Sequence, residues 1–485
     1  MSKQLPKQPS LEHLKNEAKD LLRLARAGDP EAYRQVGESR LANAQLAVAR
    51  EYGFPSWAKL KRAVEGYADQ RDALFDAIRA GDRERVTAAL RENPGLVYAL
   101  DPNSFGSTTI AAAAQRNDRR MIDLLLDRGA DIDARSDWWA GSFGALDFAD
   151  EETSRFLLSR GATLTAHAAA RLDMADEVKQ LIARHPDAVH ERGGDGQYPL
   201  HFAKTPKIVD ILLDAGAEID ARDLDHEGTP AQTLALDEPV LRRLVERGAK
   251  TDIFMAIALD DLELVKSHLA DDPEALGRRT DEPGNPMIPQ APGAHRYTYV
   301  FGFVTPIEAA IALGREQIYD YLFEQLPPRH GLIAACCKGD REQALAVIDT
   351  YPGVMSELTD EDQRTLVALA KVPRPEAVSL MLELGFDVEA EDGEKFTAIH
   401  WASFLGRDDL IEIILPYKPD LEKRNRYGGT VLTTGMYGSV HGWNRSGGNF
   451  ARSTELLIKA GAKLPDRASG SPEVVAVLRR FGVPG

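Results

Sequence analysis

Thr397-Ala-Ile-His400-Trp-Ala402-Ser-Phe-Leu-Gly406-Arg-Asp408-Asp409-Leu410-Ile-Glu-Ile413-Ile414-Leu-Pro416 continues through Tyr-Lys-Pro419-Asp-Leu and Glu-Lys-Arg-Asn-Arg-Tyr-Gly-Gly to a second threonine, Thr430. The two threonines are 33 positions apart, one structural period. Thr397 suits an N-cap, because its hydroxyl can accept from a free backbone N–H at a helix start. Ile399 and Ala402 then share one face of a short helix, and Gly406 supplies the left-handed residue that ends it. Asp408 and Asp409 place negative charge at the start of a second helix, where Leu410, Ile413 and Ile414 form an apolar stripe. Pro416 and Pro419 stop that helix.

Two short antiparallel helices and a glycine-rich turn cannot bury an apolar face alone, so such a unit stacks on copies of itself. The sequence contains those copies. A closing element recurs as Leu125-Leu126-Asp127-Arg128-Gly129-Ala130-Asp131, Leu157 to Ala162, Leu212 to Ala217, Leu244 to Ala249 and Leu457 to Ala462. An opening element recurs as Tyr198-Pro199-Leu200-His201, Thr229-Pro230-Ala231 and Thr305-Pro306-Ile307-Glu308. These elements resemble the ankyrin repeat, which opens on Thr-Pro-Leu-His and closes on Gly-Ala. The resemblance covers most of residues 74 to 483. It implies an all-α solenoid of stacked helix pairs with short β-turn fingers, and a binding surface rather than a catalyst.

Charge is unevenly spread along the 485 residues, whose net charge is −17. Positions 1 to 67 hold 12 Lys and Arg against 8 Asp and Glu, so the acidic excess lies beyond them. Acidic surface serves solubility first. It also disfavours nucleic acid and anionic membranes and favours a basic or neutral protein partner. Two cysteines, Cys336 and Cys337, stand adjacent in a predicted helix. Neighbours on a helix diverge by about 100° and do not form an ordinary disulfide, which fits a reducing compartment. No stretch has the apolar core of a signal peptide or the length to span a bilayer, and a cytoplasmic location is expected.

Ahead of the repeats, Ser10 caps a predicted helix over 11–27, Gly28-Asp29-Pro30 starts a short one over 31–36, and others follow over 41–52 and 58–67. This segment is similar to the helical region found ahead of ankyrin repeats in some bacterial proteins, and it is read as an N-terminal cap over residues 1–70. A DNA-binding reading is the second alternative. Ala49 and Gly53 resemble the turn of a helix-turn-helix, and Lys59, Lys61 and Arg62 would follow it, but Lys59 falls where an apolar residue is needed. From Leu74 a longer period appears. Helix pairs ending in Pro94, Pro186, Pro273 and Pro352, spaced 92, 87 and 79 residues apart, open successive blocks of repeats. About ten repeats are expected over 71–464, with a capping helix over 465–485 that starts at Ser471-Pro472-Glu473.

Function on a rigid scaffold gathers in irregular loops. Three insertions depart from the period: 133–146 with Trp138, Trp139 and Phe143; 277–304 with His295, Arg296, Tyr297, Tyr299 and Phe301; and 433–452 with Tyr437, His441, Trp443 and Arg445. Aromatic residues and Arg are the composition of interface hot spots, and these twelve are the candidate partner-binding residues. Large aromatics also fold back as local core, and that reading stays open. An enzyme or small-molecule pocket built from His295, His441 and neighbouring carboxylates is the first alternative. No phosphate loop, zinc-spaced His/Cys cluster or nucleophile elbow occurs, so no catalytic residue, metal or cofactor is assigned. His201 and His400 occupy the repeat's histidine position, whose expected role is structural hydrogen bonding. The chain is thus expected to be an adaptor that grips another protein on its finger and concave face.

Overall fold

The computed structural model describes residues 10–37, 40–280, 296–302 and 304–485. The chain divides into two units, 1–251 with 281–303, and 252–280 with 304–485.

The first unit begins with helices Leu11–Arg26, Pro30–Val36 and Leu41–Glu51. They close on Leu14, Ala18, Ala44, Val48 and Leu60, a core separate from the next one along the chain. The following helix runs from Trp57 to Ala80, longer than the sequence suggests. Nothing between Tyr67 and Leu74 breaks a helix, since Ala68, Asp69, Gln70, Arg71, Asp72 and Ala73 include neither Gly nor Pro. Position 70, expected as a boundary, therefore lies inside a helix whose far end contributes Leu74, Phe75 and Ile78 to the second core.

From there each repeat contributes a first helix, a second helix and a finger. First helices stack on first helices and second on second. In the second unit Asp360–Leu369, Ala398–Phe404 and Val431–His441 form one layer, and Pro375–Leu384, Asp408–Ile414, Phe450–Lys459 and Pro472–Arg480 the other. The buried stripe of Asp408–Ile414 is Leu410, Ile411 and Ile414, and it lies in one core with Met381, Ile399, Leu457 and Val474.

Two kinds of helix ending alternate, for local reasons. In all five Gly-Ala closings the glycine is left-handed, with φ between 86° and 103°. That turn lets the alanine N–H reach back five residues, as from Ala130 to Leu125 O and from Ala462 to Leu457 O, both 3.0 Å. These are Schellman closures, which satisfy a carbonyl the helix leaves open. The proline endings continue as 3₁₀ turns: Pro94–Tyr98, Pro186–His190, Pro273–Leu276 and, after Pro352, Val354–Glu357.

Finger tips are held by one acidic or amide side chain. Asp223 accepts from the N–H groups of His226 and Gly228, Asp392 from Glu394 and Phe396, and Asn425 from Tyr427 and Gly429. Such side chains imitate a turn of backbone. The finger between Leu100 and Thr108 also pairs as a two-stranded antiparallel ladder, Leu100 opposite Thr108. Among the described residues, no helix is long and apolar enough to cross a membrane.

Candidate functional site

The repeat histidines are tied into the scaffold. The Tyr198 N–H lies 3.2 Å from His201 Nδ1 and donates to it, so Nδ1 is bare and Nε2–H donates to Gly228 O at 3.1 Å. The Thr397 N–H meets His400 Nδ1 in the same way, and Nε2 reaches Lys423 O at 3.2 Å. The Thr397 hydroxyl, expected to cap a backbone N–H, instead lies 2.8 Å from that imidazole nitrogen. Burial holds His201 down at about 4, and lowers His400 and His167 as well. Each imidazole is thus a neutral strut between a helix start and the next finger. Cys336 and Cys337 are buried, and burial pushes the Cys336 thiol up to about 12, which leaves it unreactive.

The candidate binding residues fall into three groups. In the finger 133–146, Trp138 meets Phe105 edge to face at 5.0 Å and Phe143 lies 5.1 Å from Phe148. Phe143 also covers Gly194 of a later finger, where an added Cβ would stand 2.1 Å from its ring. Trp138 and Phe143 are half-buried, and the Trp138 indole N–H is buried with no hydrogen-bond partner. Trp139 is 69% exposed.

The second group is a short helix, Arg296–Val300, where the sequence suggests a projecting finger. Tyr297 is fully buried and packs edge to face on Phe301 at 5.2 Å. Having no free surface, Tyr297 is a core residue and not an anchor. Tyr299 is exposed and lies 4.8 Å from the ring of His226. Arg296 is half-buried beside Gly228, whose added Cβ would meet Arg296 Cβ at 2.8 Å. His295 lies outside the described residues.

The third group sits on a helical platform in the second unit. Trp401 and Phe404 project from Ala398–Phe404, and Tyr437 and His441 from Val431–His441. These helices approach closely because the second carries Gly435 and Gly438; a Cβ at Gly438 would stand 2.1 Å from Phe404 O. The segment after His441 folds back on the first helix. Asn444 Nδ2 donates to Leu405 O and the Asn449 N–H to Gly406 O, both at 2.8 Å. That return sets Trp443 5.7 Å from Trp401 and 5.2 Å from Phe404. Tyr437 lies stacked 6.5 Å from Phe404, and His441 lies tilted against Tyr437 at 4.5 Å. Trp443 is 69% and Tyr437 61% exposed, and His441 also faces solvent. Arg445 is exposed and bonds back to Val440 O.

The base of the platform is polar and fixed. Trp401 Nε1 donates to Asp392 Oδ2 at 2.8 Å, while Lys371 Nζ stands 4.4 Å over the Trp401 ring and 3.3 Å from the same carboxylate. Burial raises the Asp392 carboxyl, but the indole, the Phe396 N–H and Lys371 outweigh it and hold the group below the usual range. The platform's base, Phe396, Trp401, Phe404 and Lys371, is missing from the residues singled out from the sequence. Its signal was present in Phe396, Trp401 and Phe404, large aromatics clustered around one repeat opening. The basic residues Lys59, Lys61 and Arg62 are exposed on the helix Trp57–Ala80, and Lys61 pairs with Glu65 at 3.3 Å.

The ankyrin repeat family model matches residues 105–137 and 195–224. Among solved structures, the human ASB11 ankyrin repeat domain is 16% identical, with 62% of this chain and 99% of that one covered and a TM-score of 0.24. A chain from the complex of the Bd0816 predatory endopeptidase of Bdellovibrio bacteriovorus with immunity protein Bd3460 is 19% identical, with 36% and 97% covered and a TM-score of 0.26. No curated protein matches the sequence.

The protein is an all-α repeat solenoid that carries ankyrin repeats at residues 105–137 and 195–224.

Proposed function

We propose that this chain is an adaptor whose second unit grips a protein partner on the platform of Trp401, Phe404, Tyr437 and Trp443. One observation carries the reading: four large aromatics stand next to one another on two closely packed helices and the segment that follows the second, and two of them, Tyr437 and Trp443, expose more than half of their surface. Aromatic anchors that are rigidly backed lose little conformational freedom on binding, so their burial goes into affinity. Trp139 and Tyr299 supply similar exposed rings in the first unit. In the same reading the helices before residue 57 and the helix Pro472–Arg480 act as caps that shield the terminal repeats.

The test is capture of partners from native lysate by the full chain and by the double change Tyr437→Ala, Trp443→Ala. Both residues are mostly exposed, so the melting temperature should stay within about 2 °C of the parent, while the captured protein should fall at least tenfold. Equal capture by the two forms would remove the platform from the binding site.

A further inference from the structure

We infer that the tips of the fingers at 192–198 and 222–229 form a site for a first-row divalent cation of the zinc class, with Asp195, Asp225 and His226 as protein ligands. One donor atom from each of the three lies within 4.8 Å of the others. Asp195 Oδ2 stands 3.8 Å from His226 Nε2, and Asp225 Oδ2 stands 3.6 Å from Nδ1. Both separations exceed a hydrogen bond, so the imidazole lies between two carboxylates and bonds to neither. Its Nδ1 is wholly buried and has no hydrogen-bond partner. A buried ring nitrogen without a partner is costly, and coordination would satisfy it.

The surrounding backbone holds the three side chains in place. Asp195 takes the left-handed conformation at φ 56°, and its carbonyl accepts from the N–H groups of Leu224 and Asp225 at 3.0 and 3.1 Å, joining the two fingers. Asp223 is spent on the turn, accepting from the His226 N–H at 2.6 Å. Arg296 N–H donates to His226 O at 3.3 Å, and the Tyr299 ring covers the imidazole. The three ligand side chains keep only 13 to 19% of their exposure.

The charge calls for a dication. The groups acting on Asp195 are Asp223, Asp225, Arg296 and His226. With neutral His226 as a ligand, three carboxylates and one guanidinium leave two negative charges. An imidazole nitrogen with two carboxylates suits zinc and its neighbours, whereas calcium and magnesium take oxygen donors. Ligand atoms sit about 2.0 to 2.2 Å from zinc, so both aspartates would move inward as an ion settles on Nδ1, and Asp195, which stands nearer Nε2, would move further than Asp225. The ion would staple one finger to the next, and the inference is independent of partner binding.

Calorimetric titration of the full chain with zinc chloride tests it, with magnesium and calcium chloride as comparators. One zinc per chain should bind more tightly than either comparator, and Asp195→Asn, Asp225→Asn and His226→Ala should each weaken it at least tenfold. Should His226→Ala lower the metal-free melting temperature, the isosteric Asp→Asn changes carry the decision. Zinc affinity equal to the parent in both Asn variants overturns the proposal. So does an absence of zinc binding by the parent chain.

Discussion

Phe143 and Trp443 are both large aromatics in insertions, yet the first is consumed as packing and the second is left facing solvent. Phe143 belongs to a finger, and a finger has no hydrogen-bonded rod behind it. Its ring fills the space over Gly194 of a later finger, and Trp138 sinks beside Phe105. Trp443 follows the eleven-residue helix Val431–His441, which is pressed on Ala398–Phe404 through Gly435 and Gly438. The segment that carries it is fastened by Asn444 and Asn449. Local first helices differ accordingly: Ala145–Phe148 and Pro230–Thr233 have four residues each. Phe143 and Trp138 collapse onto their neighbours and leave Trp139 outside as a single exposed ring, whereas the two close helices present Tyr437 and Trp443 together.

The largest expected effect breaks the backing itself. Gly438→Leu forces the two helices apart, because even a Cβ would stand 2.1 Å from the backbone oxygen of Phe404. Overpacking against rigid backbone should cost about 3 kcal/mol or more, read as a fall in urea midpoint, with loss of partner capture. An unchanged midpoint would show that the platform is not held by close helix approach.

An intermediate effect compares the histidine struts of the two units. Folding lowers the pKa of His201 to about 4 and lowers that of His400, so between those values and the unfolded value near 6.5 the unfolded chain binds protons that the folded chain does not. Their contribution is full above pH 6.5 and is lost as pH falls, for His201 by up to about 1.4 kcal/mol per pH unit between there and about 4. Urea midpoints between pH 7 and 5 should decline, and His400→Gln should flatten the decline. An equally steep decline in the variant would place the proton uptake elsewhere.

The smallest effect falls on the finger cluster. Gly194→Ala meets the Phe143 ring, which can swing aside where the Phe404 carbonyl cannot. A cost of about 1 kcal/mol is expected, with the Trp138 and Trp139 fluorescence shifted and capture unaltered. A loss as large as that of Gly438→Leu would erase the distinction between the regions.

Much of the fold was legible because its rules are local. Gly129, Gly161, Gly216, Gly248 and Gly461 announce left-handed closures, and Pro94, Pro186, Pro273 and Pro352 announce the other ending. The helices near the N-terminus followed from Ser10, Asp29 and an apolar period. The site was less legible. Tyr297 and Tyr299 look alike in sequence, two residues apart, but a single helical turn buries one and exposes the other. Trp401 was hidden inside a repeat opening that otherwise reads as scaffold.

The sequence by itself determined the repeating unit, its helix endings and the structural hydrogen-bonding role of His201 and His400, because each depends on neighbours within about one period; burial in the structure made those imidazoles neutral. Only the tertiary structure decided which aromatics are presented and which are packed, since that depends on how closely two helices approach. It also decided that Asp195 meets Asp225 and His226. Thirty residues separate the two aspartates, and no local spacing rule joins them; stacking brings one finger tip against the next, where charge and burial act across the gap.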